Sequence, residues 1–170
     1  MLILNAQVGT FDESGRKPRV AGEFFDNAGV SFNAASMPLL IDRVPDHTRI
    51  ESAFGFTSSY GAYPGLDNRF SEDWGARFSG LIDVPDAGNW TFFLTSDDGS
   101  EMWLDGASLV KNYGSHGMRE VSTSVVLDAG LHDFRIEFFQ GGGPHGLTLH
   151  WEGPNQTKDL VPASAFSIAS

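Results

Sequence analysis

Apolar and polar residues alternate over short runs through the second half of this chain, and that alternation leaves few folds open. Successive strand side chains point to opposite faces, so a period of two marks a strand with one face in a core. Trp74, Ala76, Phe78, Gly80 and Ile82 share one such face, with Gly75, Arg77, Ser79 and Leu81 on the other. Trp90, Phe92 and Leu94 repeat the pattern, as do Phe134, Ile136 and Phe138 against Asp133, Arg135 and Glu137. Leu147, Leu149 and Trp151 are expected to point inward, and Thr148, His150 and Glu152 outward. Val121 to Leu127 reads as a further strand. A short one runs through Met102 and Leu104 after a polar break from Ser96 to Gly99. Turn chemistry separates these runs at Pro85-Asp-Ala-Gly88, Asp105-Gly106, Asp128-Ala-Gly130 and Gly141-Gly-Gly-Pro144. Leu160-Val-Pro162 and Phe166 are expected to return as an edge segment.

The first 70 residues are less periodic. Val20 to Phe25 and Ile50 to Phe56 read as strands, and Tyr60 to Asn68 as a loop. Ser36 is placed to cap a short helix reaching about Val44, with Pro38 in its first turn. Strands at this spacing predict an all-β fold, a two-sheet antiparallel β-sandwich with few short helices. No linker or repeat divides the 170 residues, so 1–170 is expected to be a single domain.

Composition excludes several classes. There is no cysteine, hence no disulfide scaffold, thiol nucleophile or thiolate zinc site. A net charge of −11 argues against phosphate-driven nucleic-acid binding and against anionic membrane surfaces. It favours a hard cation as partner of the surplus carboxylates. No apolar run is long enough for a membrane helix, and Met1-Leu-Ile-Leu4 lacks the length and basic flank of a signal peptide.

Two segments can carry chemistry. In Thr95-Ser-Asp-Asp-Gly-Ser100, Asp97 and Asp98 reach one point only if the backbone bends between them. Carboxylates so placed repel unless a proton or cation lies between them. The competing reading is a polar turn whose Asp side chains accept bonds from nearby N–H groups. In Gln140-Gly-Gly-Gly-Pro-His-Gly146, an amide side chain precedes bare carbonyls, both of them calcium-type donors. A flexible hairpin loop explains the same residues.

The order and spacing of several tracts resemble the PA-fourteen domain family. They are Gly22-Glu-Phe-Phe25, Phe70-Ser-Glu-Asp-Trp-Gly-Ala-Arg-Phe-Ser-Gly80, Asn89 through Gly106, Asn112-Tyr-Gly-Ser-His-Gly117, Leu127-Asp-Ala-Gly-Leu-His132, Arg135 through Gly143, Gly146 through Pro154 and Val161-Pro-Ala-Ser164. The likeness runs from Gly22 to Phe166. It implies a sandwich of two antiparallel sheets. Lectin-type members, such as yeast flocculins and bacterial surface adhesins, join an Asp-Asp pair by a cis peptide and bridge both carboxylates with calcium. Asp97 and Asp98 match that pair. Gln140 matches the amide ligand, although yeast members use Asn there. The resemblance further implies carbonyl donors within the following loop, Gly141, Gly142 and Pro144 among them. Gly143, His145, Tyr113 and His116 would then face a sugar whose vicinal hydroxyls complete the coordination.

The remaining candidates are weaker. Adjacent Asp97 and Asp98 do not suit glycosidase chemistry, which needs carboxyls about 5–9.5 Å apart across a bond. His132 and His150 have no partners at metal-ligand spacing. The tryptophans are explained by core packing, although Trp103 is out of phase with Met102 and Leu104. The expected protein is thus a non-enzymatic, calcium-dependent lectin module, monomeric within a larger extracellular or cell-surface adhesin. Its partners would be cell-surface or polysaccharide glycans, fucose or related hexoses among them. The alternative is a non-lectin spacer or protein-binding module attached to a toxin, protease or glycosidase.

Overall fold

The computed structural model describes residues 19–30, 37–38, 40–52 and 55–169. They form twelve strands: β1 (Val20–Asp26), β2 (His47–Glu51), β3 (Phe56–Ser59), β4 (Trp74–Val84), β5 (Gly88–Asp97), β6 (Ser100–Leu104), β7 (Ala107–Asn112), β8 (Arg119–Leu127), β9 (Gly130–Gln140), β10 (His145–Gly153), β11 (Gln156–Leu160) and β12 (Phe166–Ser167). The only helical pieces among the described residues are 3-10 turns at Asn68–Phe70 and Ala163–Ala165.

The strands build two antiparallel sheets. The seven-stranded sheet runs β2-β1-β4-β9-β6-β7. There β1 lines β4 from Trp74 to Ser79, and β12 continues along the same strand at Leu81 and Ile82. The five-stranded sheet runs β11-β10-β5-β8, with β3 also paired to β10. The alternation read from sequence is what packs them. Trp74, Phe78, Ile82, Ile136 and Phe138 of one sheet meet Trp90, Phe92, Leu94, Leu147 and Leu149 of the other, all at most 1% exposed. Trp90 and Trp151 meet at 4.9 Å at the start of β5. Phe24, Tyr63 and Trp74 gather at the other end, with Tyr63 centred 5.1 Å from Phe24 and 5.6 Å from Trp74. Asp105 and Gly106 both have positive φ, as the two-residue hairpin turn between β6 and β7 requires.

Three expectations need correction. Ile50 to Phe56 is not one strand: β2 belongs to the seven-stranded sheet and β3 to the five-stranded one. Gly55, at φ +102, takes a backbone conformation closed to most residues, just where the chain changes sheets. No helix fills the described part of 36–44, and Ser36 itself lies outside the described residues. Leu40 is buried, but Ile41 and Val44 are exposed, so these apolar residues do not form one face. Pro45 disfavours helical backbone at Val44. Arg43 N–H instead closes a tight turn onto the Leu40 carbonyl, and its guanidinium binds Asn27 and the Asp26 carbonyl. Finally, β5 runs on through the supposed break at Ser96 to Asp97, both of them buried.

Trp103 lies between the inward Met102 and Leu104, so strand alternation turns its indole to the outer face, beneath Arg135, whose guanidinium carbon lies 4.1 Å from the ring centre.

Candidate functional site

Asp97 ends β5, and the peptide bond joining it to Asp98 is cis, as the family resemblance implies. Both residues are 6% exposed. Asp98 is held from two sides. Its Oδ1 accepts the His116 backbone N–H at 2.9 Å, and its Oδ2 accepts that of Gly141 at 2.8 Å. The loop after β7 and the loop after β9 are thereby tied to one carboxylate. Gly99 makes this approach possible. A Cβ there would lie 2.4 Å from the Phe139 ring and 3.0 Å from the Gly114 carbonyl oxygen.

Asp97 has a different environment. Its carboxylate accepts no hydrogen bond among the described residues. Burial, then the charge of Asp98, hold its pKa above the ordinary carboxylate range, while His116 acts in the opposite direction. Gln140, the last residue of β9, pairs with Trp74 and is fully buried. Its Nε2 donates to the Gly143 carbonyl at 3.2 Å, which leaves Oε1 buried with no partner. An unpaired buried carbonyl oxygen costs free energy unless a donor or cation reaches it.

The other expected site residues are placed unequally. The Gly141 carbonyl already accepts from Asp73 N–H at 2.9 Å, so its loop is pinned to the turn before β4. Gly142 is exposed, Gly143 has φ +85, and Pro144 is half-buried. His116 meets the pair through its backbone, while its ring nitrogens lie 2.8 Å from the Gly117 carbonyl oxygen and 3.4 Å from that of Asn112. Tyr113 donates its hydroxyl to Glu101 at 2.7 Å, and burial with that bond pushes its pKa up to about 12. His145 corrects the sequence expectation. Its imidazole is fully buried against Phe56 and Trp74 and has a pKa lowered by burial, so it supports the loop from beneath and offers no face to a sugar. His145 points inward by the same strand period that buries Leu147 and Leu149.

Sequence reasoning missed the support beneath the pair. Asn112 is fully buried where β5, β7 and β8 converge. Its Nδ2 lies 2.8 Å from the Arg119 carbonyl oxygen and 3.1 Å from Ser96 Oγ, and its Oδ1 accepts from Arg119 Nε at 2.8 Å. Ser96 and Ser100 share a buried hydroxyl bond of 2.7 Å across the bend. The available signal was Ser96 and Ser100 at inward positions flanking the Asp pair.

The donor set is hard oxygen only: two carboxylates and a buried amide oxygen, with peptide carbonyls in the adjoining loop. Among the described residues no three His, Cys, Asp or Glu side chains cluster as a metal site. Cation binding here would therefore depend on the neutral oxygens as well as Asp97 and Asp98. The unpartnered Oε1 of Gln140 and the mutually repelling carboxylates fit a calcium-type ion.

Comparison with known proteins agrees with this architecture. The PA14 domain family matches residues 23–165. This chain belongs to that family. A PA14 sugar-binding domain from an RTX adhesin superposes with a TM-score of 0.74 at 17% identity, covering 89% of this chain and 99% of that one. An anti-sigma factor domain-containing protein from Clostridium clariflavum gives 0.72 at 22% identity over 89% of this chain and 47% of that one. At these identities the likeness shows the shared fold. In sequence, the anti-sigma-I factor RsgI3 of Acetivibrio thermocellus is 28% identical over 94 residues, 55% of this chain. The PA14 chain spans only 15% of that relative's length.

Proposed function

We propose that this PA14 domain is a calcium-dependent carbohydrate-binding module, with Asp97, Asp98 and Gln140 as its side-chain ligands. The observation that carries the reading is the buried, unpartnered Oε1 of Gln140, at the end of β9 and next in the chain to the Gly141 N–H that binds Asp98. Calcium, when bound, supplies a positive centre with coordination positions that sugar hydroxyls can fill. The residues do the rest. His116 and Gly141 hold Asp98 by their N–H groups, and Gly143 fixes the Gln140 amide with its oxygen free. Asp97 and Asp98 then accept hydrogen bonds from the O–H groups of a vicinal hydroxyl pair. The loops Gly141–Pro144 and Tyr113–His116 flank the ligand. The RTX adhesin domain of the same fold is a sugar-binding one, which supports this reading. So does the adhesin A domain of Candida glabrata, solved with Galβ1-3GlcNAc, which superposes with a TM-score of 0.57. We place the module in a larger extracellular or cell-surface protein, where many weak sites act together.

A second reading keeps the same site in another setting. The relative named as an anti-sigma-I factor favours a parent protein in which sugar binding reports to regulation instead of mediating adhesion.

A glycan array run in calcium and again in excess chelator tests the shared proposal. Binding to neutral glycans with vicinal hydroxyls is expected only in calcium. Undiminished binding after exhaustive chelation, or none in either condition, overturns it.

A further inference from the structure

The register of β10 against β5 sets Gly146 directly opposite Asp97. Opposed residues of an antiparallel pair send their side chains to the same face, with Cβ atoms about 4.5–5.5 Å apart. Phe92, Leu94 and Ser96 face the core, so strand alternation turns Asp97 to the other face of β5, where it is buried. Gly146 has no side chain to stand beside it. Met118 and the backbone of β3 take that space: a Cβ on Gly146 would lie 2.6 Å from Met118 Sδ, 3.1 Å from Ser58 N and 3.2 Å from the Met118 methyl carbon. The thioether therefore lies over Gly146 of β10, the residue paired with Asp97.

Met118 reaches this place at the end of the loop whose His116 N–H holds Asp98. It remains 42% exposed, so part of its apolar surface is left uncovered. Sequence alone gives no reason to join Met118 to Asp97, because 21 positions and two strands separate them.

We propose that Met118 is a specificity-determining residue, an apolar wall that selects sugars presenting a methyl or C–H edge beside the hydroxyl pair. This rests on the reading of Asp97 and Asp98 as a calcium-dependent sugar site. A hydroxymethyl group pressed against the thioether would lose water and gain no partner. A methyl group there gains contact with a polarisable, adaptable side chain. Burying one methyl corresponds to about a fourfold gain in affinity. The ligand class is therefore a 6-deoxyhexose end group in preference to the parent hexose.

Matched sugar pairs separate this from a general role. Binding of L-fucose and L-galactose, and of L-rhamnose and L-mannose, is measured by titration calorimetry in saturating calcium. The wild type should favour the deoxy member of a pair it binds by about fourfold. Met118→Ala should bring that ratio close to one. Met118→Leu, which keeps the apolar surface, should retain the preference. Calcium-induced stabilisation should be the same in all three proteins. The inference is overturned if Met118→Ala weakens both members equally, or if the wild type favours the parent hexose. It is overturned too if the variant loses its calcium response, because Met118 then acts through the ion site. A wild type that binds none of the four sugars overturns this inference. If it also lacks calcium-dependent glycan binding on the array, the underlying sugar-site reading fails as well.

Discussion

Asp98→Asn is the substitution that tests the site most directly. Asp98 accepts one backbone N–H on each oxygen, at 2.9 and 2.8 Å. Asparagine has a single oxygen, so either His116 or Gly141 loses its acceptor and faces an amide N–H. Losing one charge-assisted bond costs about 1.5–3 kcal/mol. Relief of the repulsion with Asp97 acts in the opposite direction. Without calcium, the variant should thus lie between unchanged and about 3 kcal/mol less stable, still a folded sandwich. With calcium the difference should widen. An ion at about 100 times its dissociation constant stabilises the wild type by about 2.7 kcal/mol. For a chain of this size that raises Tm by about 5–11 °C. Removing one of two charged ligands should abolish most of that rise. Calorimetric melts of both proteins in calcium and in chelator measure each quantity. A second variant, Asp97→Asn, should lose the same calcium response with little calcium-free cost, because no N–H is left without an acceptor. Equal calcium-induced shifts in wild type and both variants would refute the reasoning.

Gly99→Ala places a methyl 2.4 Å from the Phe139 ring, so it should cost about 1–3 kcal/mol in a denaturant titration and weaken calcium binding as well. Asn112→Ala removes the bonds to Ser96, to the Arg119 carbonyl and from Arg119 Nε; a loss of about 1–3 kcal/mol is expected by chemical denaturation. His132 reports on the far end of the fold, where its ring nitrogens lie 2.7 Å from Asp105 Oδ2 and 2.9 Å from the Asp128 carbonyl oxygen. Burial acts to lower its pKa, but the Asp105 bond and the Asp128 carbonyl outweigh it and leave the value raised. The contribution to stability should be complete below the unfolded histidine pKa of about 6.5, and fade as pH rises through the higher folded value. Melting curves across that window should lose this pH dependence in His132→Gln; an unchanged slope would count against the clasp.

The amino-acid sequence by itself determined the two-sheet architecture, because the inward rows are local patterns. Trp90, Phe92 and Leu94, or Leu147, Leu149 and Trp151, bury one face whatever lies opposite. Residue spacing left the Asp97–Asp98 pair and Gln140 open to a polar turn and a hairpin loop, and only the resemblance to the PA-fourteen family singled them out. Where the local signal was poor, around Ser36–Val44 and Ile50–Phe56, the sequence misassigned elements. Those segments are shaped by Arg43 reaching Asn27 and by Gly55 carrying the chain from one sheet to the other. Only the tertiary structure decided what surrounds the pair. The register Ser100↔Phe138, with Phe139 N–H donating to the Gly99 carbonyl, brings the β9 loop to Asp98, and the register Asp97↔Gly146 opens the space that Met118 occupies. The same folding draws His145 out of the site and into the core. A residue's neighbours across a sheet depend on strand pairing between distant segments, and no periodicity within one strand records its partner's register.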